Sequence, residues 1–181
     1  MQPAAGDLDS RLEELLSRVR LVALDVDGVL TDGRIVHGPQ GESQSFCVHD
    51  GFAITALLAA GIRVAWISGR GSPATERRAA ELGVSELALR AGRKDLALQG
   101  IQERLGIDPQ ATASMGDDLP DLALRRRSAC FAAPANARPE VLERADLRTR
   151  ACGGAGAVRE LAEHILRAQG RWQAIVDAHG G

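Results

Sequence analysis

Asp25 and Asp27 stand either side of Val26 in the run Asp25-Val26-Asp27-Gly28-Val29-Leu30-Thr31-Asp32-Gly33, and Ser68, Lys94 and the pair Asp117-Asp118 follow far downstream. Brought to one place, these groups could transfer a phosphoryl group. An ionised Asp can attack phosphorus and form an aspartyl phosphate. Oxygen-only carboxylate ligands suit Mg²⁺, which keeps several waters and bridges to phosphate oxygens. A hydroxyl and an ammonium can neutralise the equatorial oxygens, since catalysis of this reaction is mostly positioning and electrostatics. Gly28 and Gly33 leave backbone amides free to approach an anion.

Such groups need elements that hold them together. Val19 to Leu24 is an apolar run broken only by Arg20 and ending in Asp25, the pattern of a buried parallel strand. Ile62 to Ile67 ends in Ser68-Gly69-Arg70, a weaker Leu87 to Leu89 follows, Ala111 to Met115 ends in Gly116-Asp117-Asp118, and Ala129 to Ala133 ends in Pro134. Helical stretches alternate with these runs: residues 9 to 18, then Gly51 to Ala60, Ser72 to Leu82 and Lys94 to Leu105, the last three closed by Gly61, Gly83 and Gly106. The alternation predicts an α/β fold with a doubly wound parallel sheet covered on both faces. The polar residues then fall at the carboxyl ends of strands, where open α/β sheets bind ligands, and at that strand-to-loop transition Asp25 and Asp27 can face one cleft. Residues 33 to 48 break the pattern. Gly33 to His37, a turn at Gly38-Pro39-Gln40-Gly41, and Glu42 to Val48 read as a β-hairpin flap directly after the first strand. No repeat or linker interrupts the chain, so residues 1–181 read as one domain with this flap and a C-terminal tail from about residue 171.

Composition agrees with a folded soluble protein. The 181 residues are 45% hydrophobic and 25% charged, which excludes a disordered chain. A net charge of −2 gives no global attraction to nucleic acid or anionic lipid, and the Arg125-Arg126-Arg127 triple reads as a solvated helix face. Three widely spaced cysteines, an odd number without a CxxC pair, argue against a disulfide framework and for a reducing cytoplasmic home. No apolar run has the length to cross a bilayer. Of the 22 Lys and Arg residues, Lys94 is the only lysine, so a basic position in this chain is Arg by default.

The pieces, in this order, resemble the haloacid dehalogenase superfamily. Within it, DVDGVLTDG, QGE at 40 to 42, Phe46 with Asp50-Gly51, SGR at 68 to 70, Arg78 with Leu82-Gly83, Lys94, GDDLPDL at 116 to 122, GGAGAVRE at 153 to 160 and the tail around Gln169-Gly170 resemble the capless 3-deoxy-D-manno-octulosonate 8-phosphate phosphatases. The resemblance implies a Rossmann-like fold without a cap domain and a Mg²⁺-dependent phosphomonoesterase of lipopolysaccharide precursor synthesis. It makes Asp25 the nucleophile and Asp27 the general acid and then base. Ser68 and Lys94 hold the phosphoryl group, and the Asp25 carboxylate, the Asp27 carbonyl and Asp117 hold Mg²⁺, supported by Asp118 and Asp121. It implies a homotetramer in which a neighbour's tail reaches the active site. A receiver domain, the rival with a phosphorylated Asp, places its lysine last, whereas Lys94 precedes Asp117 here.

Gly69, Arg70, Arg78 and His49 are the candidate substrate-binding residues, the arginines because a guanidinium can grip a carboxylate through two hydrogen bonds. Trp172 with Ile175 and Val176 would expose apolar surface in the tail unless a neighbour covers it. Departures from the family pattern lie on the substrate side: His49 for Arg, Ala53 for Gly, and Leu89-Arg90 for Gln-Gly. They leave open an eight-carbon sugar acid phosphate or a related nonulosonate 9-phosphate. A non-catalytic oligomeric assembly domain of sugar-nucleotide synthesis is the competing reading of another class.

Overall fold

The computed structural model describes residues 9–39 and 41–180. In chain order the elements are α1 (Ser10–Ser17), β1 (Leu21–Leu24), β2 (Val36–Gly38), β3 (Gly41–Ser43), α2 (Val48–Ala59), β4 (Arg63–Ile67), α3 (Pro73–Leu82), β5 (Glu86–Ala88) and α4 (Lys94–Leu105). They continue with β6 (Thr112–Met115), α5 (Leu122–Arg125), β7 (Cys130–Ala133), α6 (Pro139–Leu142), β8 (Leu147–Arg148), α7 (Ala157–Ala168) and α8 (Trp172–Gly180). Six strands form one parallel sheet in the order β5-β4-β1-β6-β7-β8.

All four residues of β1 are buried because the strand has helices on both sides. Val22 and Leu24 face a cluster with Ile54, Leu57, Leu161 and Ile165 from α2 and α7. Leu21 and Ala23 face the other cluster, with Leu98, Ile101 and Leu124 from α4 and α5. Successive strand side chains point to opposite faces, so an uninterrupted apolar run is what a doubly covered strand requires. The chain works outward from β1 through β4 to β5, then crosses back to β6 on the other side. The switch point therefore lies between β1 and β6, and Asp25 and Asp117 follow these two neighbours.

The flap is shorter than the sequence suggests. β2 and β3 are three residues each, antiparallel, with Val36 opposite Ser43 and His37 opposite Glu42. Residues 44 to 47 are irregular and lead into α2, which begins at Val48. Gln40, part of the expected turn, lies outside the described residues. The edge strand β8 was not foreseen, because two residues carry no periodic signal. Leu89 is not in β5; it turns with Arg90 straight after the strand.

Arg90 has φ +56°, the sole non-glycine with positive φ among the described residues. A left-handed residue with a Cβ is strained by about 1 kcal/mol. Arg90→Gly is expected to raise stability by up to about 1 kcal/mol, partly offset by the freer unfolded chain. Chemical denaturation at matched m-value checks this, and a clear loss of stability would contradict it.

The tail corrects part of a second expectation: Val176 is exposed, but Trp172 is not. Trp172 is buried within its own chain, with the Arg159 and Arg167 guanidiniums 4.8 and 5.4 Å from its ring. Gly170 at φ +67° lets the chain reverse after α7, and the Arg171 N–H donates back to the Leu166 carbonyl. That reversal lays α8 against α2 and α7. Among the described residues no helix is long and apolar enough to cross a membrane.

Candidate active site

The carboxyl ends of β1, β4 and β6 and the start of α4 converge on one cleft. The Asp25 N–H donates to the Met115 carbonyl at 3.1 Å, which ties the Asp25 loop to the end of β6. Asp25, Asp117 and Asp121 gather so that one oxygen from each lies within 4.8 Å of the others. Lys94, at the first position of α4, donates to Asp25 Oδ1 and to Asp121 Oδ1, both at 2.5 Å.

One ammonium faces three buried or half-buried carboxylates, and the titration of the cluster reflects that deficit. Burial and the nearby Asp121 push the Asp25 carboxyl up to about 8, against the pull of Lys94. Burial, Asp121 and Asp118 push Asp117 up to about 7. Burial opposes the charge of Lys94, but Asp25 and Asp121 outweigh it and hold the lysine above its ordinary value.

Asp117 and Asp121 are close in space but differ in how they are used. Asp121 is saturated: Oδ1 accepts from Lys94, and Oδ2 accepts from the Asp117 and Asp118 N–H groups at 2.9 and 3.1 Å. Asp117 Oδ1 is buried and has no hydrogen-bond partner. A buried carboxylate oxygen left unpaired is costly, and a divalent cation would satisfy it. The hard oxygen donors of Asp25 and Asp117 therefore fit Mg²⁺, while Asp121 orients the loop and Lys94. Gly28 belongs to the same arrangement: at φ +101°, a Cβ there would lie 2.2 Å from Asp117 Oδ2. Asp118 is exposed, and its carboxylate caps the next turn by accepting from the Leu119 N–H at 2.8 Å.

The raised carboxyls set a sign for stability. Between the ordinary carboxylate range near 4 and about 8, the folded chain without metal keeps protons that the unfolded chain has released. Its stability is therefore expected to fall as pH rises through that window. Mg²⁺ is expected to raise the melting temperature more at about pH 8 than at about pH 5, where protons already neutralise the cluster. Scans with and without excess Mg²⁺ at both pH values measure this; equal shifts would contradict it.

On the other side of the cleft, Ser68 Oγ donates to Asp27 Oδ2 at 3.3 Å and accepts from the Arg70 N–H at 3.0 Å. The Arg70 guanidinium lies 3.7 Å from Asp27 Oδ2 and donates to Glu42 of the flap at 2.7 Å. Gly69 is exposed beside them, with open space where a Cβ would go. Arg78 is not part of this group. It pairs with Glu81 at 3.2 Å and lies over α2, with Nη2 2.3 Å from where a Cβ on Gly51 would sit. His49 is exposed on the first turn of α2.

The glycine motif near the C-terminus closes the site from behind. A Cβ on Gly153 would fall 1.7 Å from the Gly28 carbonyl oxygen, and the Gly154 N–H donates to the Val29 carbonyl at 2.9 Å. Asn136 Oδ1 holds the Gly153 N–H at 2.9 Å, and the buried Asp50 carboxylate accepts the Gly156 and Arg159 N–H groups at 3.2 and 2.8 Å. The loop that follows Asp25 thus rests on backbone supplied from the last third of the chain.

No protein-family model matches the chain. The 3-deoxy-D-manno-octulosonate 8-phosphate phosphatase of Escherichia coli K12 is 40% identical over 170 residues, covering 93% of this chain and 88% of that protein. The chain belongs to the 3-deoxy-D-manno-octulosonate 8-phosphate phosphatase family. The crystal structure of the Yersinia pestis phosphatase of this name superposes with a TM-score of 0.90 at 37% identity, covering 93% of this chain and 91% of that one. The Moraxella catarrhalis phosphatase, solved in complex with magnesium ion, phosphate ion and KDO, superposes with a TM-score of 0.92 at 37% identity, covering 95% and 99%. The octulosonate phosphatase family thus accounts for the fold, and the residues described above are those of this member.

One contact in this family member escaped sequence reasoning. Gln44, between β3 and α2, donates from Nε2 to Asp27 Oδ1 at 2.9 Å. Its sequence signal was slight: a polar side chain two residues past Glu42, on the same side of an extended segment.

Proposed function

We propose that this chain hydrolyses 3-deoxy-D-manno-octulosonate 8-phosphate to the free sugar acid and phosphate, with Mg²⁺, through an aspartyl phosphate on Asp25. The observation that carries the reading is the pairing of two polar walls around one cleft. Lys94, Asp25 and the unpartnered oxygen of Asp117 form one wall, and Asp27 and Ser68 form the other.

Asp25 attacks phosphorus as the bond from phosphorus to the sugar oxygen breaks. Asp27 gives its proton to that oxygen, so an alcohol leaves rather than an alkoxide. Water then attacks the aspartyl phosphate, Asp27 takes its proton back, and phosphate departs with the Asp25 carboxylate restored. Lys94 and Ser68 would bear on the equatorial oxygens, where charge must be balanced throughout. Asp25, Asp117 and the Asp27 carbonyl would hold Mg²⁺, which supplies positive charge to the phosphoryl oxygens when bound.

Arg70 suits the sugar carboxylate, because its guanidinium already holds the carboxylate of Glu42. Arg78 and His49, which the sequence also offered for substrate, make no contact with Asp27 or Ser68 and are assigned no step. The same reading takes the chain as one catalytic domain, cytoplasmic, in keeping with free Cys47, Cys130 and Cys152. It also takes the protein as a homotetramer, which light scattering would test.

Phosphate release from a panel of sugar acid phosphates, with and without Mg²⁺, tests the function. The expected result is Mg²⁺-dependent turnover with the highest kcat/KM on the eight-carbon acid. Preference for the nine-carbon acid would move the assignment to that phosphatase, a change the unusual Leu89-Arg90 turn would explain. No turnover on any ester would leave the assembly domain.

A further inference from the structure

Gln44 lies outside the phosphoryl-transfer set, yet both polar atoms of its side chain are engaged. Nε2 donates to Asp27 Oδ1 at 2.9 Å, and Oε1 accepts from Thr75 Oγ1 at 2.7 Å and from Ser72 Oγ at 2.5 Å. Ser72 and Thr75 are buried at the start of α3, where the Ser72 hydroxyl also caps the helix by accepting the Thr75 N–H at 3.1 Å. The amide is therefore fixed at one end by a rigid helix terminus and presents its other end to Asp27.

The direction of these bonds follows from chemistry. An ionised carboxylate only accepts, so Asp27 requires the amide nitrogen, and the two hydroxyls then meet the amide oxygen as donors. Turning the amide over would set oxygen against carboxylate oxygen. When Asp27 carries a proton the same constraint persists: a proton on Oδ1 would point at the Nε2–H. Oδ2 is the oxygen left to hold it, because its partner at 3.3 Å, Ser68 Oγ, is a hydroxyl that can turn its own hydrogen away, as an amide N–H cannot, and the Arg70 guanidinium stands off at 3.7 Å.

We propose that Gln44 is a positioning residue for Asp27, occupying Oδ1 so that the proton given to the leaving oxygen is held on Oδ2 and aimed into the cleft. The inference rests on Asp27 being the general acid of the proposed hydrolysis. Gln44 touches neither phosphorus nor the leaving group; it acts through Asp27. Because it stands just beyond β3, it also ties the aim of the acid to the seating of the flap, which makes a second contact through Glu42 and Arg70.

A comparison of leaving groups tests this. The sugar phosphate expels an alcohol that needs a proton, whereas p-nitrophenyl phosphate expels a phenolate that does not. Gln44→Met, of similar size but without the amide, is expected to lower kcat/KM on the sugar phosphate by about tenfold or more, a fraction of the full value of a general acid. On p-nitrophenyl phosphate the loss should stay within about threefold, and the KM for the sugar phosphate should change little. Gln44→Glu keeps acceptors for Ser72 and Thr75 but offers Asp27 no N–H, so it should reproduce the selective loss even where Gln44→Met folds poorly. Ser72→Ala combined with Thr75→Val should give a smaller loss of the same selectivity. Equal losses on both esters, or none on either, would overturn the positioning role. Asp27→Asn in the same assay separates the two levels. If it shows the selective loss and the Gln44 variants do not, only the role of Gln44 falls; if it shows no selectivity, the acid assignment falls and the role of Gln44 with it.

Discussion

Asp25→Asn is expected to lower phosphate release by more than about a thousandfold while the protein stays folded. An amide is a poor nucleophile toward phosphorus, and no other side chain in the cleft can take its place: Asp121 is saturated by Lys94 and two N–H groups, and Asp27 is held by Gln44 and Ser68. The substitution also removes one of three crowded carboxylates, the one whose carboxyl burial has pushed up to about 8. Stability without metal should therefore hold or rise, and the Mg²⁺-induced shift in melting temperature should shrink. Activity and melting measured on one preparation decide the matter. Turnover near that of the parent would remove Asp25 from the mechanism, and collapse of the fold would show that the cluster is needed as a structural ion pair.

Lys94→Arg is expected to cost at least about a hundredfold in kcat although it keeps the positive charge. The Lys94 side chain is 9% exposed, and its compact ammonium donates to Asp25 Oδ1 and Asp121 Oδ1 at 2.5 Å each. A planar guanidinium is wider, and its fork cannot place one nitrogen between two oxygens from different loops without displacing one of them. Displacing Asp121 would disturb the Asp117 and Asp118 N–H groups that it anchors, and with them the metal-binding edge. Lys94→Met is the informative contrast. It leaves three carboxylates facing one another with no cation, and removal of one partner from a buried pair costs about 3–5 kcal/mol. Lys94→Arg should thus be more stable than Lys94→Met but similarly inactive, a pattern that kcat and denaturation together can establish. Retained activity in Lys94→Arg would show that charge alone suffices.

The ends of the strands were readable because burial on both faces leaves uninterrupted apolar runs, and the first polar residue after each run marks the rim of the sheet. Asp25, Ser68 and Asp117 were found in this way, and the lone lysine was singled out by contrast with an Arg-rich chain. Contacts that cross between unrelated segments leave no such trace. Gln44 reaches Asp27, Ser72 and Thr75, and nothing in its own neighbourhood in the chain announces those partners. Arg78 looked equivalent to Arg70 by type, yet only Arg70 follows a strand end; Arg78 rides on α3 and turns toward α2. Trp172 misled for a related reason, since it joins the apolar cluster of its own chain and part of its cover is Arg159 and Arg167, residues that read as solvent-facing. The short β8 carried too few residues for any pattern.

The seating of Gly153 and Gly154 on the loop after Asp25 also bears on how the protein is made. A nascent chain on the ribosome exposes Asp25 early, but the backbone that supports Gly28 and Val29 is not translated until residue 153 and beyond. β1 lies at the centre of the sheet and gains its neighbour β6 only after more than half the chain has emerged. Catalytic competence therefore arrives late in synthesis, and a message truncated before the glycine loop should yield an inert fragment rather than a loosely selective phosphatase.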